Sequence, residues 1–195
     1  LKDGKMSSRL GNIVRGEWLL DEARKRISKS FPDMDSRTSE TVAVAAVKYS
    51  MLKVGRTSEI QFSFDESISL EGDSGPYLLY TYVRTQSILK KANKDLIEGD
   101  IKIAENIEKE EVELARTLVY FPEIIEDSAI DFAPNLIAGY LFELAQEFNL
   151  FYQKHSVLST GDQEIMTFRL ALTAAVGQTI QNGLNLLGIE TVERM

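Results

Sequence analysis

Residues 162–187, with the sequence DQEIMTFRLALTAAVGQTIQNGLNLL, carry a nearly unbroken helical pattern. Apolar side chains recur there at intervals of three and four, which places them on one face of an α-helix. Gly188 follows, and glycine readily adopts the left-handed conformation found just past a helix end. This stretch therefore predicts one long helix. Its apolar face consists of Ile165, Phe168, Leu172, Val176, Ile180, Leu184 and Leu187.

Three more helices are predicted directly before this one, over about 110–121, 123–130 and 134–153. Pro122 closes the first of them, and Pro134 lies near the start of the third. Both positions suit a residue that lacks a backbone N–H. The second half of the chain is therefore predicted to be a helical bundle.

The first half of the chain is also mainly helical by its patterns, with helices predicted over 17–28, 38–54 and 77–94. Residues 60–64 alternate apolar and polar side chains, which predicts a short strand or an extended arm. Residues 65–70 predict one helical turn. The apolar faces of the three helices consist of Trp18, Leu19, Ala23 and Ile27, then Val42, Ala45, Ala46, Tyr49 and Leu52, and then Tyr77, Tyr80, Val83, Ile88 and Leu89.

Glycine and proline mark the ends of these elements. Gly55 suits the position just past the second helix, and the sequence EGDSGP at 71–76 predicts a tight turn whose proline opens the next helix. The polar stretch 93–109 indicates a helix end and a variable loop. The fold class is therefore mainly α, and we place a domain boundary between a helical region over 1–95 and the bundle over 96–195.

The composition is that of an ordinary soluble globular protein. Hydrophobic residues make up 44% and charged residues 27% of the chain, and no run approaches the roughly 18 apolar residues that span a membrane. The absence of cysteine excludes disulfides and thiolate metal sites, which agrees with a cytoplasmic protein. The chain begins at Leu1 without Met and without an apolar signal region, so we expect residue 1 to be an artificial or processing boundary.

The sequence gives no indication of a metal site or of a catalytic nucleophile. His155 is the single histidine and follows Lys154 in a polar stretch, so we predict a surface residue and no bound metal. The acidic run at 108–113 predicts either a solvated face or the start of a helix, where negative charge is favourable. No Ser, His and Asp arrangement indicates a catalytic triad.

Charge is distributed unevenly along the chain. The net charge of −8 argues at first against a nucleic-acid partner. However, residues 1–94 hold 16 Lys and Arg against 12 Asp and Glu, whereas residues 95–195 hold 6 against 18. The first half can face phosphates, and the acidic half would bind RNA by stacking and base-edge contacts, which unpaired loops allow. The alternative, which charge alone favours, is that the acidic half is simply a soluble surface.

A short polar string near the start of the chain suits phosphate chemistry. Lys5-Met6-Ser7-Ser8 is followed by Arg9 and then by a predicted helix. An ammonium group on a Gly-flanked loop can meet the charge that builds on a pyrophosphate leaving group, while hydroxyls and backbone amides cradle the phosphates. The string GKMSSRLGN resembles the KMSK loop of class I aminoacyl-tRNA synthetases, although Ser8 stands where many members carry a second Lys. The resemblance implies an ATP-binding loop from Lys5 to Arg9, with catalytic roles for Lys5, Ser7 and Ser8; the alternative is a solvated loop.

A second string covers residues 62–91, FSFDESISLEGDSGPYLLYTYVRTQSILKK. Tyr77, Tyr80 and Arg84 are spaced at three and four and share one helix face, where rings and a guanidinium can stack on nucleosides or meet phosphate. The string resembles the segment that follows the KMSK loop in arginyl-tRNA synthetases, which lies along the inside of the tRNA. The resemblance implies that these three residues contact the tRNA body. The alternative is that both tyrosines pack in the core and Arg84 is a satisfied surface cation.

The helices of the second half resemble the DALR-type anticodon-binding domain. The ending NGLNLLGIETVERM is close to the arginyl version, whereas the tetrapeptide Asp-Ala-Leu-Arg is absent. In that family a Tyr in an Asn-x-Phe-Tyr segment and the C-terminal Met approach the anticodon bases, which implies Asn149, Tyr152 and Met195 here, with Tyr152 near the chain end. A Tyr ring offers a stacking platform of roughly 1–3 kcal/mol per base. Phe148 and Phe151 are predicted to be core residues, and the alternative for Tyr152 is core packing as well.

Together the resemblances imply the C-terminal part of an arginyl-tRNA synthetase, from the KMSK loop through the anticodon-binding domain. They imply tRNA-Arg as partner, arginine and ATP with Mg²⁺ as substrates of the whole enzyme, no membrane partner, and a monomer. The nucleotide-binding sheet and the HIGH motif precede the KMSK loop in this family. We therefore expect these residues alone to be inactive and to hold no stably bound cofactor.

Three alternatives stay open. One is another class I synthetase with the same helical domain, such as the cysteinyl enzyme, against which the GDSGPY turn and the Met ending argue. The second is a non-catalytic tRNA- or protein-binding paralogue, although the intact KMSS loop favours an enzyme. The third is a plain helical scaffold, which would show no response to tRNA.

Overall fold

The computed structural model describes residues 15–92 and 106–195, and these two ranges form helices without any strand. The predicted helices of both ranges are confirmed. The strand alternative for residues 60–64 is wrong, because this stretch has no sheet partner and runs as an extended arm into a short helix. The helices are α1 (Gly16–Ser30), α2 (Ser36–Leu52), α3 (Phe64–Ser67), α4 (Gly75–Lys91), α5 (Lys109–Val119), α6 (Phe121–Ile130), α7 (Pro134–Lys154) and α8 (Gln163–Leu186).

Capping side chains define where three helices begin. Asp35, Ser74 and Asp162 each accept a hydrogen bond from a backbone N–H two or three residues later, at 3.0, 3.1 and 2.8 Å respectively. At the end of α8, Gly188 has φ 67°, which confirms its predicted left-handed conformation. The prediction for Gly55 is wrong: α2 already ends at Leu52, and Gly55 is not among the glycines with positive φ.

The helices pack in two connected groups. α1 packs against α2, and α2 packs against α4. α8 then contacts α4, α7 and α5, while α6 lies against α7. This order makes α4 the element shared by the two halves of the chain. The predicted domain boundary at 95/96 lies outside the described residues and stays a prediction.

Two glycines of α8 allow its close approach to α4 and α7. A Cβ at Gly177 would lie 2.5 Å from Oγ1 of the buried Thr85 in α4. A Cβ at Gly183 would lie 2.6 Å from a methyl carbon of Leu141 in α7. Because α8 approaches both helices so closely, α4 and α7 come to lie side by side, and the site described below forms between them.

The predicted apolar faces are largely buried, with one exception in α1. Leu19, Ala23 and Ile27 are buried as predicted. Trp18, which the pattern also assigned to this face, is 46% exposed and packs its ring edge against Phe64 at 5.9 Å between centroids. A neighbour in sequence lies about 100° away around a helix, so Trp18 points to the rim of the core. No helix in the described ranges is long and apolar enough to cross a membrane.

Candidate nucleic-acid interface

Five of the predicted binding residues meet between α4 and α7. Tyr77, Tyr80 and Arg84 lie on one half-buried face of α4, beside the buried face of that helix. Asn149 and Tyr152 lie on the facing side of α7, near its end. We refer to these five residues as the aromatic–arginine cluster. Residues predicted for two different parts of a nucleic acid therefore form one site.

Arg84 is the centre of this cluster. Its guanidinium carbon lies 4.8 Å from the centre of the Tyr80 ring and 5.3 Å from the centre of the Tyr152 ring. Nη2 donates to the Tyr80 hydroxyl at 3.1 Å, and Nη1 donates to Oδ1 of Asn149. A guanidinium between two aromatic faces is held by cation–π attraction as well as by hydrogen bonds. Arg84 is thus fixed in place without a carboxylate partner among the described residues.

Asn149 positions its neighbours. Its amide nitrogen donates to the Tyr77 hydroxyl at 2.9 Å and to Oγ1 of Thr81 at 3.1 Å, while its oxygen accepts from Arg84. Both N–H groups of the amide are therefore used inside the protein. The side chain joins α7 to α4 and orients the guanidinium, and the ring of Tyr77 packs on Phe142 at 5.8 Å.

Tyr152 presents a ring to the surface. It is 41% exposed, so the core-packed alternative does not describe it. Its ring lies nearly parallel to that of Phe148, with centroids 6.3 Å apart. Phe148 and Phe151 are fully buried, which confirms their predicted place in the core. A partly exposed ring fixed from behind by Phe148 and Arg84 is a suitable stacking platform for a base.

A cavity of about 490 Å³ adjoins the cluster. It lies between the last turns of α4 and α7 and the segment 156–159 that follows α7. Arg84 and Tyr152 form part of its wall, together with Lys91 and His155. None of the side chains that line it is acidic. Where α4 of the first half meets the acidic second half, this cavity is therefore a local region of positive charge.

The chain end lies at a different place. Met195 lines a cavity of about 430 Å³ with the turn between α1 and α2. Arg194 approaches Asp35 of that turn at 3.3 Å. Hydrogen bonds from Thr38, followed by Arg194, lower the pKa of Asp35 to about 2. Tyr152 and Met195 thus line separate cavities, and the structure groups Tyr152 with Arg84 and not with the chain end.

The sequence patterns missed the ion pairs that join α5 to α7. The prediction that His155 is a surface residue is wrong: its side chain is only 14% exposed, and Nε2 lies 3.0 Å from Oε2 of Glu110. Lys154 contacts the same carboxylate at 2.5 Å. The hydrogen bonds from Lys154 and then His155 lower the pKa of Glu110 to about 2. These partners are more than 40 residues apart in the chain, so no local pattern indicates them.

The acidic run lies at the start of helix α5, which confirms one of its two predicted roles. It is not a solvated face throughout. Glu108 and Glu111 form a reciprocal capping box, with the backbone N–H of Glu108 donating to Glu111 at 2.7 Å. Glu111 is buried and pairs with Nε of Arg169 at 2.5 Å. Nη1 of Arg169 also donates to the carbonyl of Ser156 at 2.8 Å, which ties down the segment that walls the cavity.

The predicted ATP loop lies outside the described residues, and its members Lys5, Met6, Ser7, Ser8 and Arg9 stay predictions. In the described ranges, no three His, Asp or Glu side chains are grouped so that they could hold a metal ion. The geometry that can be assessed is therefore the aromatic–arginine cluster and the cavity beside it. An exposed ring, a fixed guanidinium and a positive cavity are what an unpaired nucleotide requires.

Comparison with known proteins agrees with this class of site. The DALR anticodon binding domain family matches residues 78–195, which include most of α4 and all of the helices that follow it. The chain belongs to this family of anticodon-binding helical domains.

The relatives are more specific than the family. Over its whole length the chain is 42% identical to an arginine–tRNA ligase of Vibrio parahaemolyticus, 35% of which it covers, and 36% identical to one of Flavobacterium psychrophilum, 34% of which it covers. The chain thus spans about a third of the length of these curated relatives and matches their C-terminal part.

Solved structures agree as well. The arginyl-tRNA synthetase of Thermus thermophilus superposes on 99% of this chain with a TM-score of 0.87 and 30% identity, over 34% of its own length. The arginyl-tRNA synthetase of Plasmodium falciparum superposes on 94% of the chain with a TM-score of 0.81 and 26% identity, again over 34% of its length. The chain therefore shares its helical architecture with these proteins over nearly its whole length.

Proposed function

We propose that this chain is the anticodon-binding C-terminal part of an arginine–tRNA ligase, and that the aromatic–arginine cluster receives an unpaired base of tRNA-Arg. The observation that carries the proposal is the partly exposed ring of Tyr152, which contacts with Phe148 and with the guanidinium of Arg84 hold in place. Such a ring can stack on a base that is unpaired and not covered by neighbouring bases. The acidic charge of the bundle fits recognition through ring faces more than through many phosphate contacts.

The binding proposal is tested with Tyr152→Ala. Fluorescence anisotropy compares labelled tRNA-Arg with a transcript that carries a changed anticodon. We expect the wild-type chain to prefer tRNA-Arg, and Tyr152→Ala to weaken binding about tenfold or more, because a stacked base contributes roughly 1–3 kcal/mol. Leu150→Ala is the matched control, since Leu150 lies on the same helix and is 42% exposed against 41% for Tyr152. Equal affinity of the wild type for both transcripts would refute the proposal.

For the whole enzyme, we propose that the Lys5 loop contacts the phosphates of ATP, with Mg²⁺, while arginine is activated and then transferred to tRNA. The support is the string GKMSSRLGN and the similarity of the whole chain to arginine–tRNA ligases. An ammonium that meets the pyrophosphate only in the transition state raises kcat. We expect Lys5→Ala in the full-length enzyme to lower kcat on the order of a hundredfold with little change in tRNA affinity. An unchanged kcat would exclude this role.

For the 195-residue chain alone, we propose no arginine activation and no stably bound cofactor. In the family, the sheet that binds the nucleotide and the HIGH motif precede the KMSK loop, and the described residues contain no strand. The chain is expected to act as a monomer in binding tRNA. Arginine-dependent ATP–pyrophosphate exchange measures the first point, and turnover by the purified chain would contradict it.

A further inference from the structure

The cavity beside Tyr152 has a positive charge that no acidic group of the described residues pairs with. Arg84 and Lys91 both line it, and no acidic side chain does. Neither cation makes an ion pair within the described ranges; the hydrogen bonds of Arg84 go to a hydroxyl and an amide, both neutral. Two cations at one cavity without a counter-charge attract an anion from solution.

Four of the five other lysines and arginines in the described part of the bundle behave differently. Lys109, Lys154, Arg169 and Arg194 each lie within 4 Å of a carboxylate, at 3.4, 2.5, 2.5 and 3.3 Å respectively. Glu110 contacts one wall residue of the cavity, His155, but its carboxylate is shared between His155 and Lys154. Glu110 therefore does not neutralise Arg84 and Lys91.

The helix ends do not cancel this charge. The C-terminal turns of α4 and α7 point toward the cavity region, and each helix end carries about half a negative charge at most. In α4, the N–H of Ala92 caps the carbonyls of Ile88 and Leu89 at 3.2 Å each, which reduces the number of free acceptors. Two full positive charges exceed what these helix ends supply.

We propose that the cavity binds a phosphate group, namely the backbone phosphate of the nucleotide whose base stacks on Tyr152. Arg84 belongs to both parts of this site, since its guanidinium lies over the Tyr152 ring and the residue also lines the cavity. Lys91 supplies the second charge. Serine hydroxyls at Ser87 and Ser159 on the same wall can donate to phosphate oxygens. The inference rests on the proposed RNA binding and adds to it a ligand group and a residue, Lys91, that serves binding without reading sequence.

The test uses two neighbouring lysines. Lys90 and Lys91 are both exposed and both lie in the last turn of α4, but only Lys91 lines the cavity. Anisotropy titrations of labelled tRNA-Arg are measured over a series of salt concentrations. We expect Lys91→Ala to reduce the slope of log Kd against log salt by about 0.7, as loss of one single-strand phosphate contact should. Lys90→Ala should leave the slope unchanged, and equal slopes for both variants would overturn the proposal.

A second readout separates this proposal from the proposed function. Lys91→Ala should weaken binding to tRNA-Arg and to the anticodon-changed transcript by the same factor, because a phosphate contact carries no sequence information. If the wild type shows no anticodon preference, the proposed function fails, whatever the slopes are. If the preference is present but Lys91→Ala selectively removes it, the phosphate assignment fails while the proposed function stands.

Inorganic phosphate distinguishes RNA from a free anion as the ligand. It is titrated against the chain at constant ionic strength, with chloride as the replaced ion, while bound tRNA is monitored. The RNA assignment predicts the slope change with Lys91→Ala and little competition by phosphate. Competition by phosphate in the wild type that Lys91→Ala abolishes, together with an unchanged salt slope, would identify a free-anion site and overturn the RNA assignment. Thermal unfolding of both variants checks that the fold is intact.

Discussion

Arg84 and Arg169 are both partly buried and both adjoin the segment 156–159, yet their surroundings are opposite. Arg169 pairs with the buried carboxylate of Glu111 at 2.5 Å. Arg84 contacts two tyrosine rings, a hydroxyl and an amide. Arg169 is neutralised by the protein itself, whereas Arg84 has kept its charge available at a cavity.

The difference separates a cation that the protein uses to join its helices from a cation that is available to a ligand. A buried ion pair adds little net stability, but loss of one partner leaves an uncompensated charge. Arg169 therefore holds α8 to α5 and, through Ser156, fixes the wall of the cavity. Arg84 makes no such pair in the described ranges, so its removal should cost binding more than folding.

The largest effect is expected for Glu111→Gln. The substitution keeps the capping box, because Gln can still accept from the N–H of residue 108, but it removes the charge that neutralises Arg169. We expect a loss of about 3 kcal/mol in the free energy of unfolding, as for other broken buried pairs, measured by urea denaturation.

Two variants sharpen that result. Glu113→Gln breaks only the exposed pair with Lys109 and should change stability by less than about 0.5 kcal/mol. The double variant Glu111→Gln, Arg169→Met should recover much of the loss, because no buried charge is left alone. A loss in the double variant as large as in Glu111→Gln would mean that the charge is not the cause.

An intermediate effect, on binding, is expected for Arg84→Met. The variant removes the guanidinium that supports Tyr152 and lines the cavity, so affinity for tRNA-Arg should fall about tenfold or more. Its unfolding free energy should change by no more than about 1 kcal/mol, because no acid loses its partner in the described ranges. Arg84→Lys should recover little of the affinity, since a lysine cannot reproduce the planar contact with two rings. Destabilisation as large as in Glu111→Gln would remove the distinction between the two arginines.

The smallest effect is expected from Glu110 and concerns pH. Its pKa is lowered to about 2 in the folded protein, first by the hydrogen bond from Lys154. A carboxylate with a lowered folded pKa stabilises the protein above its ordinary pKa, and this contribution is lost as the pH falls from about 4.5 toward 2. We expect the Tm of Glu110→Gln to fall less over this range than that of the wild type, as measured by calorimetry. Lys154→Ala should act in the same direction, and parallel pH profiles for all three proteins would contradict this.

Much of the secondary structure could be predicted from the sequence. Two predicted helices differ from the observed ones by a residue or less at each end. The prediction 162–187 corresponds to α8 (Gln163–Leu186), and the prediction 134–153 corresponds to α7 (Pro134–Lys154). These helices combine a long apolar repeat with clear end signals, namely Pro134 and Gly188. Residues 60–64 were ambiguous because a short alternating stretch fits both a strand and an extended arm.

The sequence predicted which residues belong to the candidate site but not which of them lie together. Spacing at three and four placed Tyr77, Tyr80 and Arg84 on one face, which the structure bears out locally. The resemblance supplied Asn149, Tyr152 and Met195 from the other end of the chain. In the structure Asn149 and Tyr152 join Arg84, whereas Met195 lines the cavity at the α1–α2 turn. This grouping depends on contacts between residues 65 or more positions apart in the chain.

By itself the sequence determined the order and approximate bounds of the helices, because helix period, caps and breakers act over a few residues. It also supplied the types of side chain that suit a nucleic-acid interface. Only the tertiary structure decided which cation is neutralised: Arg169 meets Glu111 and Arg84 meets two rings. That outcome depends on α8 lying close to α4 and α7 at Gly177 and Gly183, and such packing distances are set by side chains far apart in the chain.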